Sequence, residues 1–233
     1  MAEINGVPIL GHLINRLILC QKLDGIVIAT TEERDDDAIK LYCQNKNIPC
    51  YRGSKDDVLG RLVAALETQG ANTGVIINGD CPIIDPAIID HMVEKFTANQ
   101  AQLDFITNAL RTTYAPGMEV EVFSFEALKD ASARCNDFKI RVHGSLFIRQ
   151  SPEKYRILNI EAPEHLACPH LELELDTSED FEVIKKIIEN FDGRIDFTYE
   201  EIIAFLEENP EIALKNRNVH RRWKKYRNTE VQE

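Results

Sequence analysis

The chain has 233 residues, 44% of them hydrophobic and 28% charged, enough for one large core and more than a minimal module needs. A formal net charge of −12 excludes a protein that coats nucleic acid with its whole surface, because phosphate binding needs massed Lys and Arg. With no run near the roughly 20 apolar residues of a bilayer span, no leader pattern, and six scattered cysteines without a Cys-x-x-Cys pair, a cytoplasmic protein with reduced, packed thiols is expected.

After Pro8, Leu10, Leu13, Ile14 and Leu17 recur at helical spacing, and residues 26–29 form a short apolar strand. A helix near 36–47 leads to a strand at 48–51, and Leu59, Leu62, Val63 and Leu66 mark a third amphipathic helix before a strand at 75–78. This βα alternation predicts an α/β fold with a mainly parallel sheet flanked by helices.

The strand at 75–78 runs into Gly79-Asp80-Cys81-Pro82, which presents a carboxylate where open parallel sheets hold their ligands. Alone, Asp80 reads as a turn cap; within the wider pattern below it reads as a metal contact. Cys81 beside it reads as a small packing residue in preference to a nucleophile. Pro86 opens the next helix, with Ile88, Ile89, Met92, Val93 and Phe96 as its apolar face.

Residues 104–109 and 119–125 read as strands on either side of a Pro116-Gly117 turn, and Glu119-Val120-Glu121-Val122-Phe123 alternates as a half-solvated strand should. A small antiparallel excursion over 104–150 is predicted, its apolar side covering the core edge or meeting a partner subunit. Ser124 caps the helix that follows. Leu171-Glu172-Leu173-Glu174-Leu175 alternates again and ends at a second strand-end carboxylate, Asp176, before a helix capped by Thr177. Thr198 and Glu201 make a capping box for a further helix, which Asn209-Pro210 ends.

No internal repeat or low-complexity linker divides the chain, so residues 1–214 are expected to form one domain and 215–233 a basic C-terminal tail. Residues 215–227 hold seven Lys or Arg and no acid, with Trp223 and Tyr226 among them. A solvated helix or frayed tail is expected there ahead of contact with RNA, membrane phosphates or the acidic body of the protein.

Taken together, these segments resemble the cytidylyltransferase family of spore-coat polysaccharide biosynthesis proteins and, more distantly, the acylneuraminate and Kdo cytidylyltransferases. The resemblance rests on the order of Ile4-Asn5-Gly6-Val7-Pro8-Ile9-Leu10, Ile28-Ala29-Thr30-Thr31, Tyr51-Arg52-Gly53-Ser54-Lys55-Asp56-Asp57-Val58-Leu59, Gly79-Asp80-Cys81-Pro82, Glu119-Val120-Glu121-Val122-Phe123 and Asp176-Thr177-Ser178-Glu179-Asp180-Phe181. It implies a nucleotide-diphospho-sugar transferase-like fold and transfer of CMP from CTP to a sugar, commonly an acidic one, with pyrophosphate released. It also implies Mg²⁺ held by Asp80 and Asp176, nucleotide contacts at Asp57 and Arg61, and sugar-side contacts at Arg141, His143, Glu119 and Glu121, in a homodimer. For His143, a place at the surface or core edge carries equal weight with a substrate contact.

Three departures from the resemblance stand out. An acidic residue is expected where Val142 stands, and a basic one where Glu172 stands. The family's usual first strand and its Arg/Gly/Ser loop precede the segment matching Ile4 to Leu10, and the chain begins after them. That strand belongs between those at 26–29 and 75–78, and each large side chain left without a partner there costs about 1.5–3 kcal/mol. The flanking strands then close together, another segment fills the space, or Met1 is an internal methionine of a longer natural product; the last is the expectation adopted. Against a cytidylyltransferase stand a catalytically silent relative that binds a nucleotide or partner and, last, a nucleic-acid binder using the basic tail.

Overall fold

The computed structural model describes residues 2–221; Met1 and 222–233, with Trp223, Tyr226 and the greater part of the basic tail, lie outside the described residues. Asn5 and Gly6 take positive φ (51° and 73°) and fold β1 (Glu3–Ile4) back on β2 (Val7–Pro8), as an Asn-Gly pair does in a tight hairpin. Then α1 (Ile9–Leu17) buries Leu13, Ile14 and Leu17. β3 (Ile28–Thr31) is followed by α2 (Asp37–Lys46) and the parallel strand β4 (Cys50–Gly53). Both strands sit slightly later than the apolar runs at 26 and 48 suggest, because Thr30 and Thr31 extend the first and Arg52 and Gly53 the second.

The chain continues through α3 (Val58–Gln69) to β5 (Thr73–Ile76) and α4 (Pro86–Asn99). Pro86 stands in the first turn of α4 with Asp85 capping it, and all five residues of the expected apolar face are buried. After β6 (Phe105–Thr107) and β7 (Glu121–Ser124), Ser124 caps α5 (Phe125–Arg134) by accepting from the Ala127 N–H. Two short helices, α6 (Phe138–Arg141) and α7 (Leu146–Arg149), precede β8 (Ile157–Asn159). Helices α8 (Ser178–Asn190) and α9 (Tyr199–Glu208) each begin in a complete capping box, Thr177 with Asp180 and Thr198 with Glu201. The break at Asn209 starts a further short helix, α10 (Pro210–Ala213).

The α/β class is as predicted, but antiparallel pairing reaches further into the sheet than a small excursion. The four-stranded sheet runs β5-β7-β6-β8, with Val75, Val122, Ile106 and Leu158 in one register row. β7 is antiparallel to both of its neighbours, whereas β8 is parallel to β6. Val120, Val122 and Phe123 are fully buried, while Glu119 and Glu121 stay partly exposed, so the expected alternation holds as far as Val122. Side chains of successive residues diverge to two cores: Ile106 and Val122 join α1, α4, α8 and α9, while Phe105 and Phe123 join α3 and α5.

Residues 171–175 correct the expected strand. They are extended but tied by single bonds, Leu173 N–H to the Pro116 carbonyl (2.8 Å) and Leu175 N–H to the Asp80 carbonyl (2.9 Å). Both faces are covered, so Glu172 and Glu174 are only 8% and 7% exposed despite the alternating pattern. Gly117 makes this packing possible: its φ is +99°, and a Cβ there would lie 2.5 Å from the Leu173 carbonyl.

β3 and β5 belong to separate sheets, and among the described residues no strand lies between them. The flanking strands have not closed together. A cleft of about 1660 Å³ separates them, walled by residues 25–29 on one side and 75–80 on the other.

One polar rivet crosses the core. Arg16, 2% exposed, donates to the carbonyls of Ile84 (2.7 Å), Ile195 (2.9 Å) and Phe197 (2.8 Å) and lies 4.0 Å from the Phe197 ring centre.

Candidate active site

The cleft between β3 and β5 reaches Ile28 and Ala29 of β3 and, beyond the carboxyl end of β5, meets a wall of carboxylates. Asp80 follows β5, Glu119 and Glu121 lead into and begin β7, and Glu174 and Asp176 close the far side. The bond from Leu175 N–H to the Asp80 carbonyl joins the two segments one residue before Asp176, so the two strand-end aspartates of the sequence come together. Burial pushes the Asp80 carboxyl above its ordinary range; the Cys81 thiol, donating to Oδ1 at 3.4 Å, opposes this, and the like charges of Asp176 and Glu119 add to it. Asp176 is half exposed, while Glu119 Oε2 accepts from the Gly117 N–H at 2.6 Å.

Cys81 is fully buried, and burial followed by the charge of Asp80 pushes its thiol well above the usual value. A thiol held neutral in this way is packing, not a nucleophile.

Of the other residues expected at the site, Arg61, His143 and Glu121 line the cleft. Arg61 donates through Nη1 to the Ser54 carbonyl (2.9 Å), which fixes its stem on α3 beside the 54–57 loop. His143 sits on the exposed wall just after α6, next to Val142. Glu121 lies 3.8 Å from Arg149 of α7, a cleft residue that no local pattern marks.

Asp57 and Arg141, expected at the nucleotide and sugar, do not line this cleft and bind each other. Arg141 donates through Nε and Nη2 to both Asp57 oxygens (2.9 and 2.8 Å), and through Nη1 to the carbonyls of Ser132 and Cys135. Asp57 also caps α3 through the Gly60 N–H (2.9 Å). Burial pulls its carboxyl up, but these donors more than reverse the effect and hold it below the usual range. The pair thus uses its charge to clamp α3 against α5 and α6.

At the described start of the basic tail Lys215, Arg217, Asn218 and His220 are exposed as expected, whereas Asn216 and Arg221 turn inward. Arg221 is wholly buried, with Nη1 and Nη2 on the Asp180 carboxylate, Nε 3.5 Å from Glu172 Oε2 and Nη1 3.7 Å from Asp176 Oδ2. His220 lines the cleft beside it.

An α/β fold with a cleft between β3 and β5 and two neighbouring aspartates on its wall has nucleotidyltransferase architecture. A solved cytidylyltransferase from Leptospira borgpetersenii serovar Hardjo-bovis superposes with a TM-score of 0.86 at 30% identity, over 94% of this chain and 90% of that one. The family model described as Cytidylyltransferase matches residues 1–218, and the chain belongs to that family. The spore coat polysaccharide biosynthesis protein SpsF of Bacillus subtilis (strain 168) is 31% identical over 209 residues, 89% of this chain and 85% of SpsF. An 8-amino-3,8-dideoxy-manno-octulosonate cytidylyltransferase of Shewanella amazonensis is 30% identical over 110 residues, 46% of this chain and 44% of that enzyme.

Proposed function

We propose that the protein transfers CMP from CTP to a sugar with an acidic group, as a step in the synthesis of a surface polysaccharide. A sugar hydroxyl oxygen forms the new bond to the α-phosphorus and gives up its proton to solvent, the bond to the bridging oxygen of the β-phosphate breaks, and pyrophosphate leaves with that oxygen. The observation that carries this reading is the meeting of Asp80 and Asp176 at the cleft, held by the Leu175–Asp80 backbone bond.

The donor set fits a magnesium ion. Asp80 and Asp176 offer hard carboxylate oxygens, and the nearby sulfur of Cys81 is buried and protonated. Among the described residues no group of three or more His, Cys, Asp or Glu side chains is spaced to hold a metal, so remaining positions fall to water and substrate phosphates, the usual arrangement for this ion. When bound, Mg²⁺ supplies neutralisation and polarisation of the phosphate oxygens. Arg61 presents a fixed cation to the triphosphate from α3. Across the cleft, Glu119 and Glu121 accept from sugar hydroxyls, and His143 and Arg149 meet the acidic group of the sugar. A homodimer through 104–150 and a cytoplasmic setting, where CTP is made, belong to the same proposal.

The test incubates the purified chain with CTP, Mg²⁺ and a panel of acidic sugars and measures pyrophosphate and CMP-sugar. Asp80→Asn and Asp176→Asn are each expected to lower turnover by roughly 10²-fold or more, the value of several kcal/mol of charge stabilisation. Turnover that persists in both variants, or no transfer to any sugar of the panel, overturns the proposal.

A further inference from the structure

We infer that Arg221 is a positioning residue for Asp176: the arm after α10 returns to the site and fixes the orientation of that carboxylate through Asp180. This rests on the reading of Asp176 as a metal-holding residue. Asp180, in the first turn of α8, is fully buried, and its carboxylate collects the N–H groups of Asp176 (3.1 Å) and Thr177 (2.9 Å) and the Thr177 hydroxyl (3.0 Å). Its other partners come from the arm. Asn216 Nδ2 donates to it at 2.8 Å and to the Glu172 carbonyl at 2.9 Å, and Arg221 grips both oxygens. The backbone of Asp176 therefore hangs from a carboxylate that the arm holds in place.

The charges explain why an arginine is needed. Glu172, Glu174, Asp176 and Asp180 lie within one short stretch, three of them less than a tenth exposed, and the Arg221 guanidinium faces all four. Glu172 stands where the resemblance calls for a basic residue, and Arg221 brings positive charge to the same spot from the C-terminal arm. With no exposed surface of its own, Arg221 does not touch substrate and acts through Asp180 and Asp176.

A partner that orients a metal-holding side chain changes metal affinity or activity by roughly 10–100-fold when removed. The test is a Mn²⁺ titration followed by electron paramagnetic resonance, with CTP present, no sugar, and the Mn²⁺ taken up by CTP without protein subtracted, on the wild type and on Asp80→Asn, Asp176→Asn, Arg221→Met and Arg221→Lys. Asp80→Asn and Asp176→Asn should abolish binding, Arg221→Met should weaken it roughly tenfold or more, and Arg221→Lys should fall between Arg221→Met and the wild type. Urea unfolding of each variant identifies the folded fraction, and Arg221→Lys carries the test if Arg221→Met does not fold. Unchanged Mn²⁺ affinity in a folded Arg221 variant, with binding lost in Asp176→Asn, overturns the inference and leaves the proposed function standing. Mn²⁺ binding indifferent to Asp80→Asn and Asp176→Asn overturns both.

Discussion

Replacing Arg16 by Met tests how much of the fold depends on a single buried cation. Met fills much of the same volume but donates nothing, so the carbonyls of Ile84, Ile195 and Phe197 lose their partners. Ile195 is 39% exposed and water can reach its carbonyl, whereas Ile84 and Phe197 are buried. Two orphaned acceptors at about 1–3 kcal/mol each come to about 2–6 kcal/mol. Relief of the buried charge offsets part of this, since desolvation already lowers the Arg16 pKa to about 10 against the pull of Asp85. A net loss of about 3 kcal/mol is expected, which for a chain of this size lowers the melting temperature by roughly 6–12 °C. Urea unfolding gives the free energy, and Arg16→Lys, which reaches fewer carbonyls, should lose less. A loss below about 1 kcal/mol in Arg16→Met with unchanged slope would refute the claim that these three bonds hold α1 to the turns before α4 and α9.

Gly117→Ala should cost about 2–4 kcal/mol in urea unfolding, because the new Cβ meets the Leu173 backbone at a positive φ; a loss under about 1 kcal/mol counts against the close packing of residues 171–175. Asp80→Asn should raise the melting temperature at pH 7.5 in chelator, while removing transfer activity. Its folded pKa is raised, so ionisation costs stability as pH rises through that value, and a lower melting temperature in Asp80→Asn would contradict the crowding by Asp176 and Glu119. Asp36 has the opposite sign: bonds from the Thr31 hydroxyl, then Thr30 and the Thr31 N–H, outweigh burial and lower its pKa. Its contribution is present above the unfolded value near 4 and lost as pH falls through the folded value, so Asp36→Asn should flatten the fall of the urea midpoint below about pH 4.

Local chemistry was the legible part of the sequence. Ser124, Thr177 and Thr198 cap the helices they were expected to cap, and Pro86 and the apolar face of α4 fall where spacing puts them. Each of these depends on residues a turn or two apart. The place of Asp80 after β5 was readable for the same reason, whereas Asp176 follows no strand, and nothing in either segment says that the two meet. Long-range pairing was the illegible part. Asp57 and Arg141 satisfy each other across two helices, and Arg221 looked like one more cation in a basic run before the fold buried it beside Asp180. Alternation misled at Glu172 and Glu174, because a segment covered on both sides buries the polar half of its pattern too. β8 escaped notice because Ile157–Asn159 is three residues long and takes its place only by pairing with β6.

The cleft takes its walls from residues spread along nearly the whole chain, within 10–29, 58–80, 93–97, 109–123, 142–149, 174–177 and at 220. Non-local closure is paid in chain entropy before any contact rewards it, so such a pocket assembles late in folding. Catalytic competence should therefore return with the slowest refolding phase, after helical signal is restored, and a nick in any connecting loop should silence the protein before it melts it.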